Sequence, residues 1–85
     1  MKAMEYQKYR HIPNRLRECR KARDLTQEEV AAALRLKNKT LISRWETGRS
    51  VPSLVTAMRL SVIYGVDVQG LFIGLMSEIE DELRT

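Results

Sequence analysis

A stretch near the middle of the chain, TLISRWETG at residues 40–48, combines apolar side chains with hydrogen-bond donors. At helical spacing Leu41, Ile42 and Trp45 fall on one side, which predicts a face packed against the rest of the protein. Four polar side chains remain on the exposed side: Lys39, Thr40, Ser43 and Arg44. Such groups donate hydrogen bonds to anions and to the acceptor atoms of nucleic-acid bases. The stretch therefore predicts a binding surface.

Other residue types that could do chemistry are not arranged for catalysis. Thr26, followed three residues later by Glu29, forms a capping box, and no nucleophile or histidine converges on Glu28 or Glu29. His11 is expected to be exposed. The single Cys19 cannot form an internal disulfide, no cysteine–histidine spacing suits zinc, and a small core residue is the expected role. We predict no enzyme, no cofactor and no metal site.

The charge distribution favours a polyanionic partner. The net charge is +4, and residues 10–49 contain eleven Lys or Arg against five Asp or Glu. Residues 71–85 instead contain four acids and one Arg. A basic body with an acidic end favours nucleic acid as the partner and predicts that the acidic end points away from it.

The length of 85 residues predicts a single domain, and apolar residues recurring every three or four positions predict an all-α fold. No apolar run approaches the roughly 20 residues that span a bilayer, so we expect a soluble, cytoplasmic protein without membrane contact. We divide the chain into a flexible arm (residues 1–13), a helical domain (14–73) and an acidic helical extension (74–85). Five side chains are expected to cap helices: Asn14, Thr26, Asn38, Ser53 and Asp67.

The end of the chain leaves two interpretations open. Leu75, Met76, Ile79 and Leu83 keep a helical period, so the fifth helix is expected either to extend or to be followed by an additional one, despite Gly70 and Gly74. These four apolar residues would either complete the core or form a dimer interface.

The second and third predicted helices, joined by a short link, have the helix-turn-helix pattern. A helix about 10–12 Å across fits the roughly 12 Å major groove of DNA, where each base pair shows a distinct donor and acceptor pattern. Residues 40–48 fit the requirement for a helix that is packed inside and polar outside.

Three segments also carry a family resemblance: NRLRECRKARDLTQEEVAAAL, LISRWETGRSVPS and LSVIYGVDVQGLF, which lie within residues 14–72. They resemble the Cro/phage-repressor (Xre-like) class of helix-turn-helix domain. The resemblance implies a five-helix, lambda-repressor-like domain that binds a roughly palindromic double-stranded DNA operator as a homodimer. The family usually has glycine in the link between helices two and three, whereas RLKNK here has none.

The resemblance implies roles for residues at matching positions. The positions that contact base edges are Lys39, Thr40, Ser43 and Arg44. Those that contact phosphate are Gln27, Asn38, Arg49, Ser50 and Ser53. An ion pair between Arg20 and Glu46 is expected to support the third helix together with Ile42 and Trp45.

These residues lead to one function and one rival. We expect a sequence-specific transcriptional regulator of bacterial or phage type, acting as a repressor. The rival is an antitoxin or adaptor whose main role is to bind a protein partner. RNA is a weaker third partner, because a helix cannot enter the narrow, deep groove of A-form RNA.

Overall fold

The computed structural model describes residues 11–84, and this part of the chain contains helices and no strand. Six helices follow one another: α1 (Leu16–Ala22), α2 (Gln27–Ala33), α3 (Thr40–Glu46), α4 (Leu54–Tyr64), α5 (Val68–Leu71) and α6 (Ile73–Leu83). The all-α prediction is confirmed. The question left open at the C-terminal end is also settled, since α6 is an additional helix that begins after the cap residue Phe72.

Three helix starts are capped by the predicted side chains. Thr26 and Glu29 form both bonds of the capping box, with Thr26 Oγ1 accepting from Glu29 N at 3.0 Å and Thr26 N donating to Glu29 Oε1 at 2.9 Å. Ser53 accepts from Thr56 N at 3.2 Å at the start of α4, and Asp67 accepts from Gly70 N at 2.7 Å at the start of α5. Each cap satisfies a backbone donor that the helix itself leaves free.

The two predicted asparagine caps lie one residue too early. Arg15 and Lys39 occupy the cap positions of α1 and α3, and neither makes a side-chain cap bond. Asn14 Oδ1 instead accepts from Leu16 N at 3.0 Å, and Asn38 Oδ1 accepts from Thr40 N at 2.9 Å. An asparagine that bonds the backbone two residues ahead forms a turn before the helix, so it still fixes the helix start.

The core is formed by the inner sides of the first five helices. Its buried members are Leu16, Cys19, Val30, Ala31, Ile42, Trp45, Leu60, Tyr64 and Leu71. Cys19 is a free thiol within this core, and burial raises its pKa, so the thiol stays protonated at neutral pH. This agrees with its predicted role as a small core residue.

Ile12, near the end of the predicted arm, packs against the folded domain. Ile12 is buried, and its backbone N–H donates to Gly48 O at 2.8 Å. A Cβ at residue 48 would lie 2.7 Å from Ile12 N, and Gly48 has a φ of 75°, so only glycine fits there. The folded domain therefore begins by Ile12. Residues 1–10 of the predicted arm lie outside the described residues, as does Thr85 at the end of the extension.

Two non-glycine residues have positive φ in the links around α2. Asp24 lies two residues after the end of α1 and has a φ of 56°. Arg35 follows α2 with a φ of 60°, in the link where the family usually has glycine. A left-handed conformation costs a residue with a Cβ about 1–2 kcal/mol. The conformation of Arg35 therefore lowers the stability of the link between α2 and α3.

Helices α4 and α6 expose apolar surface. The outer side of α4 carries Leu54, Val55, Met58 and Val62, each at least 55% exposed. Helix α6 has eleven residues and none of them is buried. Leu75, Met76 and Ile79 are partly exposed, and Leu83 is 59% exposed. The four predicted residues of α6 therefore do not complete the core.

Candidate nucleic-acid interface

Helix α3 is attached to the domain by its inner side. Ile42 is 1% exposed and Trp45 is 7% exposed, so both side chains are buried beneath the helix. Thr40 and Arg44 are exposed on the opposite side, and Ser43 lies at its edge with intermediate exposure. The predicted division of α3 into an apolar inner side and a polar outer side is present for these residues.

The predicted inward position of Leu41 is wrong, because its side chain is 42% exposed. Successive helical residues differ by about 100° around the axis, so Leu41 and its neighbour Ile42 point in different directions. Ile42 takes the inner position. Leu41 is left on the flank of α3, beside the polar side chains.

An ion pair between α1 and α3 fixes the far end of α3. Arg20 Nε donates to Glu46 Oε2 at 2.6 Å and Arg20 Nη2 donates to Glu46 Oε1 at 3.1 Å. The guanidinium also donates from Nη1 to Leu25 O at 2.8 Å. The hydrogen bond to Glu46 raises the pKa of Arg20, and the side chains of the pair are 10% and 4% exposed. The predicted pair is therefore bidentate and shielded from water. Its two parallel hydrogen bonds fix the orientation of the Glu46 side chain relative to α1.

Two amides complete the support of α3. Gln27 Nε2 donates to Glu46 Oε1 at 3.0 Å, so Gln27 supports α3 from the start of α2. Asn14 Nδ2 donates to Trp45 O at 3.0 Å and to Ile12 O at 3.0 Å, which ties the entry of α1 to the end of α3. The sequence predicted a cap at Asn14 but not this role, since a bond across 31 residues leaves no local pattern.

Lys39 lies at the N-terminal end of α3 in an exposed ion pair. Its Nζ is 3.2 Å from Glu28 Oε2, and the two side chains are 55% and 66% exposed. The pKa of the Glu28 carboxyl is lowered, mainly by a hydrogen bond from the backbone N–H of Glu28 itself and next by the contact with Lys39. Water screens exposed pairs of this kind, so they contribute little to stability and Lys39 can exchange Glu28 for another anion.

The predicted phosphate contacts are not equally available. Arg49 and Asn38 are exposed, and Ser53 is exposed although its hydroxyl also donates to Thr56 Oγ1 at 3.0 Å. Ser50 is different, because its Oγ is buried and has no hydrogen-bond partner among the described residues. The loop after α3 turns this hydroxyl inward, so the predicted phosphate contact by the Ser50 side chain would require the hydroxyl to turn outward.

A polar groove of about 500 Å³ runs between α1, α2 and α3. Its lining includes Arg17 from α1, Gln27 and Glu28 from α2, Ser43 from the middle of α3 and Thr47 directly after α3. Arg17 and Thr47 are exposed and were not predicted as site residues. Polar side chains of this groove therefore lie beside the outer surface of α3.

Two other features are absent from residues 11–84. No cluster of three or more His, Cys, Asp or Glu side chains is placed there to hold a metal ion. No helix in this part of the chain is long and apolar enough to cross a membrane.

A short α2, a tight link and an internally anchored α3 with polar outer groups define a helix-turn-helix protein. The chain belongs to the helix-turn-helix family, whose pattern it matches over residues 16–71. This is a family of DNA-binding transcription regulators and not of enzymes, and the resemblance found in the sequence is confirmed.

Two relatives agree with the family. The chain is 32% identical over 72 residues to the cryptic phage CTXphi transcriptional repressor RstR of Vibrio cholerae, covering 85% of this chain and 64% of RstR. It is 35% identical over 62 residues to the uncharacterized HTH-type transcriptional regulator MJ0272 of Methanocaldococcus jannaschii, covering 73% of this chain and 92% of that protein. The alignment thus leaves about a third of RstR unmatched. No solved structure matches the chain.

Proposed function

We propose that this protein binds specific double-stranded DNA sequences by placing α3 in the major groove. The observation that carries this is the rigid attachment of α3: Ile42 and Trp45 are buried beneath it and Glu46 is held by Arg20 in a bidentate ion pair. A helix that reads bases must keep its side chains at fixed positions in the groove. The contacts on the inner side of α3 hold the helix in place, and its outer side carries the hydrogen-bond donors.

The base contacts come from four side chains: Lys39, Thr40, Ser43 and Arg44. Arg44 is exposed, and its five-donor guanidinium suits a bidentate bond to O6 and N7 of guanine. Thr40 and Ser43 carry hydroxyls that both donate and accept, so they suit several bases. Lys39 exchanges Glu28 for a base edge or a phosphate on binding.

The phosphate contacts surround this surface. They come from Gln27, Asn38, Arg49 and Ser53, with Ser53 acting together with the N-terminus of α4. The first N–H groups of an α-helix have no partner within the helix, and its N-terminus is the positive end of the dipole, so the start of this eleven-residue helix favours a phosphate. Such contacts set affinity and register, whereas the side chains of α3 set sequence preference.

We further propose that two copies act together as a homodimer. Paired recognition helices about 34 Å apart would enter successive major grooves, so such a dimer would recognise a palindromic operator. Helix α6 supports this arrangement, because Leu75, Met76, Ile79 and Leu83 lie on a helix with no buried residue. Its acidic residues would be repelled by DNA, which fits a position away from the duplex.

The regulatory role we propose is repression, in the cytoplasm of a bacterium or encoded by a phage. The support is the name of one relative, a phage transcriptional repressor. A protein that occupies an operator blocks the polymerase by position alone, so this role requires no ligand pocket or catalytic group. A reporter carrying the operator should be expressed less when this protein is present, and unchanged or increased expression would contradict repression.

DNA binding itself is tested by selecting duplexes from a random pool and measuring affinity for the recovered motif. The Arg44→Ala change should weaken binding by roughly 1–3 kcal/mol and relax preference at one base pair in each half-site. Arg59→Ala removes the same charge from the outer side of α4 and is the matched control. A pool without enrichment, or an Arg44→Ala variant with unchanged affinity and preference, would overturn the proposal.

A further inference from the structure

Leu41 is a large apolar side chain on the outer half of α3, where the neighbouring groups are polar. It is 42% exposed, and it is neither a buried core residue nor one of the partly buried residues packed against the core. The core is completed beneath α3 by Ile42 and Trp45, so Leu41 is not required for packing. Its exposed surface is therefore available to contact a binding partner.

The position of Leu41 is suited to the floor of a DNA groove. It is the second residue of α3, directly after Thr40 and three residues before Arg44. Residues three apart on a helix have Cβ atoms about 5–6 Å apart, so Leu41 and Arg44 are neighbours on the surface. Side chains also lean toward the helix N-terminus, and the N-terminal residues of a recognition helix are those that contact base edges.

The chemistry of leucine restricts what it can recognise there. Its side chain neither donates nor accepts a hydrogen bond, and the major-groove edges of the base pairs carry one apolar group, the C5-methyl of thymine. We propose that Leu41 determines specificity by packing on a thymine methyl next to the guanine contacted by Arg44. This inference rests on the proposed function and adds one base to the sequence that α3 recognises.

Replacing thymine by uracil tests the contact, because the exchange removes the methyl group and keeps every hydrogen-bonding atom. In the operator recovered from the random pool, each thymine of one half-site is replaced in turn. For the wild-type protein we expect one position, adjacent to the guanine that Arg44 contacts, to weaken binding about fourfold, as for the loss of one buried methyl-sized group. Replacing the other thymines should have no effect of this kind.

The variant Leu41→Ala should bind the thymine and uracil duplexes equally, because the side chain that senses the methyl is gone. Alanine favours helix, so this variant should fold, and circular dichroism checks that it does. Leu41→Met keeps an apolar side chain and should retain most of the sensitivity. Val62→Ala shortens an 81% exposed apolar residue on α4 and should behave as wild type.

The outcomes separate this inference from the proposed function. A recovered operator whose wild-type affinity is insensitive to every thymine replacement, or that has no thymine beside the guanine, overturns the role of Leu41 and leaves DNA reading by α3 intact. That role is also overturned if Leu41→Ala keeps the full sensitivity to uracil. A pool that yields no operator overturns both.

Discussion

Helices α3 and α6 look alike in the sequence but differ in how the fold holds them. Both have apolar residues at helical spacing and both have charged neighbours. Helix α3 is seven residues long, yet two of its side chains are buried and a third is in a shielded ion pair. Helix α6 is eleven residues long and has no buried side chain. The shorter helix is therefore the more firmly positioned one.

The difference indicates what each helix can do. A surface that discriminates bases must be held in place before binding, since ordering it on the DNA would cost affinity. An interface between two copies can instead be completed by the second copy, so its apolar residues stay uncovered in a single chain. This difference in anchoring is the reason we propose DNA contact for α3 and self-association for α6.

The largest expected effect is on the anchor of α3. Trp45→Ala should lower the free energy of unfolding by about 3–5 kcal/mol, because it leaves a cavity beneath the helix. Leu83→Ala, on α6, should change it by less than about 0.5 kcal/mol, since the leucine is 59% exposed. Urea denaturation measures both. Equal losses would remove the distinction between the two helices.

Next in size is the ion pair that ends α3. Glu46→Ala should destabilise the fold by about 3 kcal/mol, because it leaves the Arg20 guanidinium shielded from water and without its carboxylate. The double change Arg20→Met with Glu46→Leu removes both charges and should recover much of the stability. Thermal unfolding of the single and double variants gives the answer. A double variant as unstable as the single one would contradict this account of the pair.

Self-association through α6 is tested by a charge in its apolar stripe. Ile79→Asp should weaken dimerisation at least tenfold in sedimentation equilibrium, because it places a carboxylate in an apolar interface. Ser77→Asp adds the same charge at an exposed position of the same helix and should have little effect. A dimer that survives Ile79→Asp would contradict the role of α6 and direct attention to the exposed apolar side of α4.

The smallest expected effect concerns the link that leads into α3. Arg35→Gly should stabilise the fold by about 0.5–1 kcal/mol, because glycine adopts the φ of 60° without strain and this gain outweighs its greater freedom when unfolded. Lys37→Gly, in the same link but without positive φ, should be neutral or slightly destabilising. Chemical denaturation of both variants compares them, and a destabilising Arg35→Gly would show that the left-handed conformation is not a cost here.

Local patterns made much of this fold predictable from the sequence. Thr26 and Glu29 indicate a capping box, Ser53 and Asp67 are typical caps, and the spacing of Ile42 and Trp45 indicates a buried side. The features that were not predicted depend on contacts between distant residues. The burial of Ile12 against Gly48 and the bond from Asn14 to Trp45 join parts of the chain that are far apart in sequence.

The candidate site was predictable in the same uneven way. The pairing of Arg20 with Glu46 follows from the family resemblance, and the structure confirms it. Leu41 was misplaced because three apolar residues within five positions do not show which two face the core. The inward direction of the Ser50 hydroxyl was not predicted, because the direction of a loop side chain depends on the loop path and not on residue type.

The central claim, that Arg44 on an anchored α3 contacts a base edge in the major groove, is best tested by combining the protein and DNA changes. Replacing one operator guanine by 7-deazaguanine removes the N7 acceptor from the major groove and preserves base pairing. At the contacted guanine, wild-type affinity should fall about tenfold, as for one bond from a charged donor, whereas Arg44→Ala should bind both duplexes equally. Losses of the same size in both proteins at every guanine would contradict the account.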